Sequence, residues 1–393
     1  MTKPSRAIGR RPPKGRWRAV TGQRYLDFNA TAPSRPEVIE AVADAMREGG
    51  NASSVHGTGR VARGGLEQAR RSVAALVGAD PANVVFTGSG TEANNQALRA
   101  SGRKRLIVTA IEHESVLQAR PDAIICPVLA RGTVDLEALE RLLMASDEPA
   151  LVAVMAANNE TGILQPVMEV ARLAQEHGAL LHCDAVQAAG KIPVDMAALG
   201  ADFIALSAHK IGGPQGVGAL ICRDRQSIER FVHGGGQEGG LRAGTENVPG
   251  IVGFGVAATS ALAGLDEFAV LTGLRDELER RAQEIEPAIT VFGADLRRLP
   301  NTSKFSTPGL SSEVQVMGLD LAGTAISAGS ACSAGRIEMP YVLEAMGVPQ
   351  DIALSAVRVS LGWTSTVADI DGFIEGWSVL RARHLAHAGA PTA

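Results

Sequence analysis

From residue 34 to about residue 222 the chain alternates between short apolar runs and longer amphipathic stretches. Val84–Phe86, Leu106–Val108, Ala123–Val128, Leu151–Met155, Leu180–Cys183 and Phe203–Leu206 are short and mostly aliphatic, which predicts strands. The stretches between them predict helices from Thr91, from about Ser115, over Leu136–Met144 and over Val167–Glu176. Ser34-Arg35-Pro36-Glu37 has the form of a capping box and predicts a helix through Val38, Val42 and Met46. Apolar strands separated by amphipathic helices imply an α/β fold, a mostly parallel sheet flanked by helices. Ligands bind such sheets at the carboxyl ends of the strands. Past residue 262 the pattern changes. Leu271–Ile285 reads as a charged helix, Ile289–Phe292 as a strand, and Asn301–Ser306 as a polar stretch. A helix-like run starts at Glu313, and Val357-Arg358-Val359-Ser360 alternates as a strand does. This part predicts a smaller α+β C-terminal domain. The expected organisation is a basic, disordered leader over 1–20, a large domain over 21–262 and a small domain over 263–393.

Composition narrows the class. The 393 residues are 45% hydrophobic and 20% charged, as in water-soluble globular proteins, and can bury a large core. With 44 glycines and 4% aromatics, many tight strand-to-helix turns are expected. A net charge of -4 gives no reason to expect nucleic acid or a membrane surface as partner, and a cytoplasmic location is expected. The first 18 residues hold Lys3, Arg6, Arg10, Arg11, Lys14, Arg16 and Arg18 without an acid, but no apolar segment for secretion. The four cysteines, Cys126, Cys183, Cys222 and Cys332, are widely spaced, which speaks against a zinc site or a disulfide framework. The first three lie in or beside apolar runs and read as small core residues.

Several polar motifs fall at predicted strand ends. Lys210, in Ser207-Ala208-His209-Lys210-Ile211-Gly212-Gly213, lies between two apolar runs. A lysine that is buried tends to lose its proton and become nucleophilic, as a Schiff base with an aldehyde cofactor requires; a solvated turn lysine is the plain alternative. Gly88-Ser89-Gly90-Thr91-Glu92-Ala93 opens a helix after a strand and suits a phosphate. It also matches a dinucleotide fingerprint, with Glu112 as the ribose acid of a nicotinamide enzyme. His113 can stack on a flat ring or move protons, and Asn159 can hydrogen-bond a ligand oxygen. Asp184 can pair with a protonated pyridine nitrogen or cap a helix. Arg358 can hold a carboxylate through two hydrogen bonds or form a surface ion pair. Cys332 sits among small residues in Gly329-Ser330-Ala331-Cys332-Ser333-Ala334-Gly335, which reads as a mobile loop with an accessible thiol. Gly234–Gly236 and Arg242-Ala243-Gly244-Thr245 form a further loop able to contact phosphate.

In order along the chain, these segments resemble the pyridoxal phosphate-dependent cysteine desulfurases of the class V aminotransferase group. The likeness runs from Tyr25-Leu26-Asp27 to Arg358-Val359-Ser360-Leu361-Gly362. It includes Asn29-Ala30-Thr31, Ser53-Ser54-Val55-His56, Glu112-His113, Asn158-Asn159-Glu160-Thr161-Gly162 and Asp184-Ala185-Val186-Gln187. The resemblance implies a fold-type I enzyme in which residues 21–33 pack on the small domain. It implies that Lys210 holds pyridoxal 5'-phosphate covalently and then moves the substrate α-proton. Asp184 pairs with the ring nitrogen, His113 stacks on the ring, and Asn159 and Gln187 lie near the ring hydroxyl. Gly90, Thr91, Ser207 and His209 bind the phosphate, and Thr245 reaches the phosphate of a partner subunit, implying a homodimer. Arg358, with Asn159, binds the carboxylate of L-cysteine. Cys332 takes the sulfur as a persulfide, with His113 as a candidate acceptor for its proton, and passes it to an acceptor protein such as an iron–sulfur scaffold. A selenocysteine lyase, a related class V aminotransferase and a non-catalytic sulfur-acceptor scaffold are the alternatives. The chain departs from the family at Gly239, where many relatives carry arginine, at Gln215, where lysine is common, and at Ala156-Ala157, where histidine and valine are common.

Overall fold

A computed structural model describes residues 23–328 and 339–388. The twelve described strands are β1 (Arg24–Tyr25), β2 (Val84–Thr87), β3 (Arg105–Thr109), β4 (Ile124–Cys126), β5 (Ala150–Met155), β6 (Leu180–Asp184), β7 (Phe203–Ser207), β8 (Gly218–Cys222), β9 (Thr290–Val291), β10 (Thr302–Ser306), β11 (Thr324–Ala325) and β12 (Ala356–Ser360). Seven of them form the main sheet in the order β2-β8-β7-β6-β5-β3-β4. Only β8 runs against its neighbours, because Ile211–Val217 connects it to β7 as a tight reversal rather than a helical crossover. The remaining pairs are parallel.

Period-2 alternation sends successive side chains to opposite faces of this sheet, and both faces are dry. Val152, Leu181, Ile204 and Ile221 pack under Val73, Leu139, Val170 and Phe254 on one face. Val85, Leu106, Leu151, Phe203 and Leu220 pack with Ala97 and Leu98 on the other. Each such aliphatic or aromatic side chain contributes about 1.5–3 kcal/mol by leaving water.

A separate core surrounds the antiparallel sheet β12-β10-β9. Phe305 meets Phe373 and Trp377 edge-on there, at centroid distances of 6.4 and 6.0 Å. The stretch expected to be merely polar, Asn301–Ser306, is mostly the central strand of this sheet, and all five residues of β10 are buried. Its polarity is internal: Lys304 reaches Glu160 Oε2 at 3.1 Å and the Ala328 carbonyl at 2.9 Å. The capping box at Ser34 does not form either. The helix Pro36–Glu48 starts after Arg35, which makes no side-chain cap and instead donates Nε to the Ile211 carbonyl at 3.1 Å and lies over Trp363. Pro36 at the first helical position serves as the start signal.

The chain between β1 and the first helix joins the two sheets. β1 pairs in parallel with β11, Asp27 bridges to Ser360 of β12, and the Ala32 amide donates to the His209 carbonyl just past β7. No single described helix is long and apolar enough to cross a membrane. The expected leader lies outside the described residues.

Candidate active site

A cavity of about 420 Å³ opens at the carboxyl ends of the parallel strands, between them and residues 29–30 and 358. Three of its walls come from consecutive strand ends: Met155 of β5, Asp184 of β6 and Ser207 of β7. The helix Gly90–Ala100 forms the fourth, with its amino end at the cavity. Ser89 caps that helix, its Oγ accepting from the Glu92 amide at 3.1 Å. A Cβ built at Gly90 would lie 3.0 Å from Val186 and 3.2 Å from Ser207, so glycine alone lets the helix start approach β7 this closely. Thr91, Ser207 and His209 line the same end, and its donors suit an anion. His209 faces Thr31 Oγ1 through Nδ1 at 3.1 Å. Burial, reinforced by the charges of Lys210 and Lys191, lowers its pKa to about 4.

Asp184 is buried at the middle of the floor. Its Oδ1 accepts from the Val186 amide at 2.9 Å and its Oδ2 from Asn94 Nδ2 at 2.8 Å. It makes no helix cap; β6 ends with its carboxyl group directed at the cavity wall. Gln187 lies beside it, held by Lys191 Nζ donating to its Oε1 at 2.7 Å. His113 is exposed, with Nδ1 facing Ser115.

Lys210 ends a single turn, Ala208–Lys210, that follows β7. Its Nζ donates to the carbonyls of Asn29 at 2.6 Å and Ala30 at 2.7 Å. Burial, and then Arg358, lower its pKa to about 8 against the opposing pull of Asp27 and Asp184. The uncharged amine is therefore accessible near neutral pH, unlike that of a solvated lysine. Arg358 of β12 spans Asp27 Oδ1 at 2.7 Å and the Asn159 carbonyl at 3.0 Å. Its Nε and the Asn159 Oδ1 are buried without a partner. The orphaned guanidinium N–H suits a small carboxylate ligand, and the orphaned amide oxygen suits a ligand hydroxyl or amine.

The geometry thus brings together Gly90, Thr91, His113, Asn159, Asp184, Gln187, Ser207, His209, Lys210 and Arg358. Thr245 stays apart. It is exposed and lines a neighbouring cavity of about 130 Å³ beyond Thr87 and Gly88. Cys332 lies outside the described residues. Glu112 does not reach a ribose: it is fully buried, its Oε1 takes Thr109 Oγ1 at 2.6 Å and the Met155 amide at 2.8 Å, and burial raises its pKa to about 8. The other three cysteines are buried, and burial raises the thiols of Cys126 and Cys222 to about 12 and that of Cys183 well above its usual value. Among the family departures, Gln215 and Ala157 line the cavity. Gly239 has φ 63°, and a Cβ there would lie 2.6 Å from the Arg225 guanidinium.

Sequence reasoning gave no role to Asp27, Asn29, Asn94 or Lys191. Asn29 supplies a carbonyl to Lys210 and, through Oδ1, accepts from Lys191 Nζ at 2.7 Å and Asn301 Nδ2 at 3.1 Å. Asp27 and Asn29 stood inside quoted segments, but nothing in the sequence marked Lys191.

The donor set fits pyridoxal phosphate: a glycine-opened helix start for the phosphate, a buried carboxylate for a ring nitrogen, a low-pKa lysine for the aldehyde and an unsatisfied guanidinium for the amino acid. Comparison with known proteins agrees. The class-V aminotransferase family model matches residues 24–373. The IscS-like cysteine desulfurase of Mycobacterium tuberculosis is 40% identical over 387 residues, covering 93% of this chain and 98% of that protein. A cysteine desulfurase of Cereibacter sphaeroides is 43% identical over 366 residues, covering 89% and 94%. The X-ray structure of a NifS-like protein from Rickettsia africae superposes with a TM-score of 0.86 at 36% identity, covering 92% of this chain and 99% of that one. By these likenesses the chain belongs to the cysteine desulfurases, pyridoxal phosphate-dependent members of the class-V aminotransferase family.

Proposed function

We propose that this protein is a cysteine desulfurase that converts L-cysteine to L-alanine and carries the released sulfur as a persulfide on Cys332. The observation that carries the reading is the pairing, in one cavity, of a lysine amine with pKa about 8 and a buried arginine with an unpartnered Nε. When bound, pyridoxal phosphate supplies the electron sink that makes the substrate α-carbon acidic. Gly90, Thr91, Ser207 and His209 anchor the phosphate, Asp184 keeps the ring nitrogen protonated, and His113 covers the ring face. Gln187, with Asn159, lies at the ring hydroxyl. Arg358 binds the substrate carboxylate, assisted by Asn159, which fixes the α-carbon within reach of Lys210. The Lys210 amine takes the α-proton. The Cys332 thiolate attacks the substrate sulfur; an S–S bond forms, the carbon–sulfur bond breaks with its electron pair going to the β-carbon, and protonation of that carbon and return of the α-proton from Lys210 complete alanine.

We further infer a homodimer in the cytoplasm, in which Thr245 serves the cavity of a second copy; its exposure outside its own cavity supports this reading. The sulfur then passes to an acceptor protein, an iron–sulfur scaffold being the class of acceptor that the family resemblance favours. The test is incubation with L-cysteine and a thiol reductant. Alanine and sulfide appearing in equal amounts support desulfuration. Transfer of the amino group to an added 2-oxo acid, or faster turnover of selenocysteine with none of cysteine, contradicts it.

A further inference from the structure

Asp184 and His113 are linked at the cavity wall by a chain of polar contacts through Asn94, with His182 beside it, and Ser115, residues given no part in the reaction just described. His182 and Asp184 are two residues apart in β6, so they point to the same face of the sheet, toward the helix Gly90–Ala100. Asn94, one turn into that helix, meets both. Its Nδ2 lies 2.8 Å from Asp184 Oδ2 and 2.9 Å from Ser115 Oγ, and its Oδ1 lies 2.8 Å from His182 Nε2. Ser115 Oγ in turn lies 2.8 Å from His113 Nδ1.

The hydrogens along this chain can be assigned from chemistry. An ionised Asp184 only accepts, so the Asn94 amide must point its NH2 at it. Asn94 Oδ1 is then the atom facing His182, and His182 carries its hydrogen on Nε2. His182 Nδ1 is buried and has no partner, so a second hydrogen there would find no acceptor. Burial lowers the His182 pKa to about 4, in keeping with a ring that stays neutral. The second Asn94 N–H goes to Ser115 Oγ, which leaves the serine hydroxyl hydrogen to point at His113 Nδ1. The Ser115 amide also donates to that nitrogen, at 3.1 Å. His113 Nδ1 is thereby an acceptor, and the ring hydrogen sits on Nε2.

We propose that Asn94, locked in one orientation by His182, is a positioning residue that serves two parts of the cofactor site: it donates to Asp184, which would pair with the ring nitrogen, and, through Ser115, it fixes His113, which would cover the ring face, as the Nε2–H tautomer. The proposal rests on the roles given to Asp184 and His113 under the proposed function. It deepens them in one respect. His113 presents an N–H to the cavity, so it acts there as a hydrogen-bond donor and not as a proton acceptor, and the Cys332 thiol must lose its proton elsewhere.

The test reads tautomers rather than turnover. The full-length chain is labelled with 15N-histidine, and long-range 15N–1H spectra are recorded before and after pyridoxal phosphate is added. Loss of one signal set among the eight histidines in His113→Gln assigns His113. The expected result is a single Nε2–H tautomer for His113 in both states. Asn94→Leu should give a mixture of both tautomers. His182→Leu should do the same, while His182→Gln, which still offers a donor to Asn94, should restore the single form. A His113 carrying its hydrogen on Nδ1 in the unaltered protein overturns the proposal, and so does an unchanged tautomer in a folded Asn94→Leu. If Asn94→Leu does not fold, the unaltered protein and the His182 pair decide. No step needs cysteine or alanine, so failure of the desulfurase reading would show separately, in the product assay.

Discussion

The main sheet has a cavity at each end, and the larger one is not the candidate site. At the amino ends of β6 and β7 a depression of about 810 Å³ is lined by Ala79, Met168, Ala171, Leu199 and Asp202 among others. At the carboxyl ends the cavity is about 420 Å³. The amino-end cavity has charged groups, but they are solvated or already paired, as in the exposed Arg172–Glu176 bridge at 2.6 Å. The carboxyl-end cavity holds a carboxylate, an amine and a guanidinium taken out of water, with Arg358 Nε and Asn159 Oδ1 left unpaired. Volume is inexpensive in a packed protein. Unsatisfied buried polarity is not, and it persists where a ligand completes it.

Four changes break or sharpen that contrast. The largest effect belongs to Lys210→Ala, which should lower turnover by more than about a thousandfold, since nucleophile and base are lost together. The bound-cofactor absorbance of the lysine-linked form should vanish with it; normal absorbance and turnover would dissolve the difference between the two ends. Arg358→Ala should raise KM for cysteine by about 100-fold. That is within the ~2–5 kcal/mol cost of truncating a buried charged contact. Steady-state kinetics would show the effect in KM more than in kcat, and Arg358→Lys should recover only part, because it cannot donate in parallel.

The third test is pH. Lys210 has its pKa lowered from 10.5 to about 8, so its uncharged fraction rises as pH passes through about 8. The rate at which cofactor-free protein captures pyridoxal phosphate should rise through the same interval. A stopped-flow series with no rise until near 10.5, the ordinary value, would mean that burial does not tune this amine. The smallest effect is Arg172→Ala in the amino-end cavity. An exposed pair is worth ~0–1 kcal/mol, so kcat/KM should change by less than about twofold. A large loss there would give the bigger cavity a role.

How much of this was legible in the sequence depended on the distance over which each signal acts. The helices Leu136–Met144, Val167–Glu176 and Leu271–Ile285 form as their periodicity predicts, because a helix face is written in neighbouring residues. The strand Thr302–Ser306 was not legible, since the ion-pair partner of buried Lys304 is Glu160, 144 positions away. The chemistry-bearing residues at strand ends could be read because topology dictates where strand ends converge. Lys191 and Asn29, 162 positions apart, could not, for nothing local distinguishes a surface lysine from one that folds against an asparagine. Asn94 and His182 are 88 positions apart, and nothing local marks either as a partner of the other.

The central claim is that the strand-end cavity activates cysteine and delivers its sulfur to one thiol. The most direct measurement is mass spectrometry of the protein after brief exposure to L-cysteine without reductant, with each cysteine peptide resolved. The account predicts one added sulfur on the Cys332 peptide, absent in Lys210→Ala, with Cys126, Cys183 and Cys222 unmodified because their buried thiols stay protonated. Sulfur on any of those three, or alanine formed while Cys332 carries none, would contradict it.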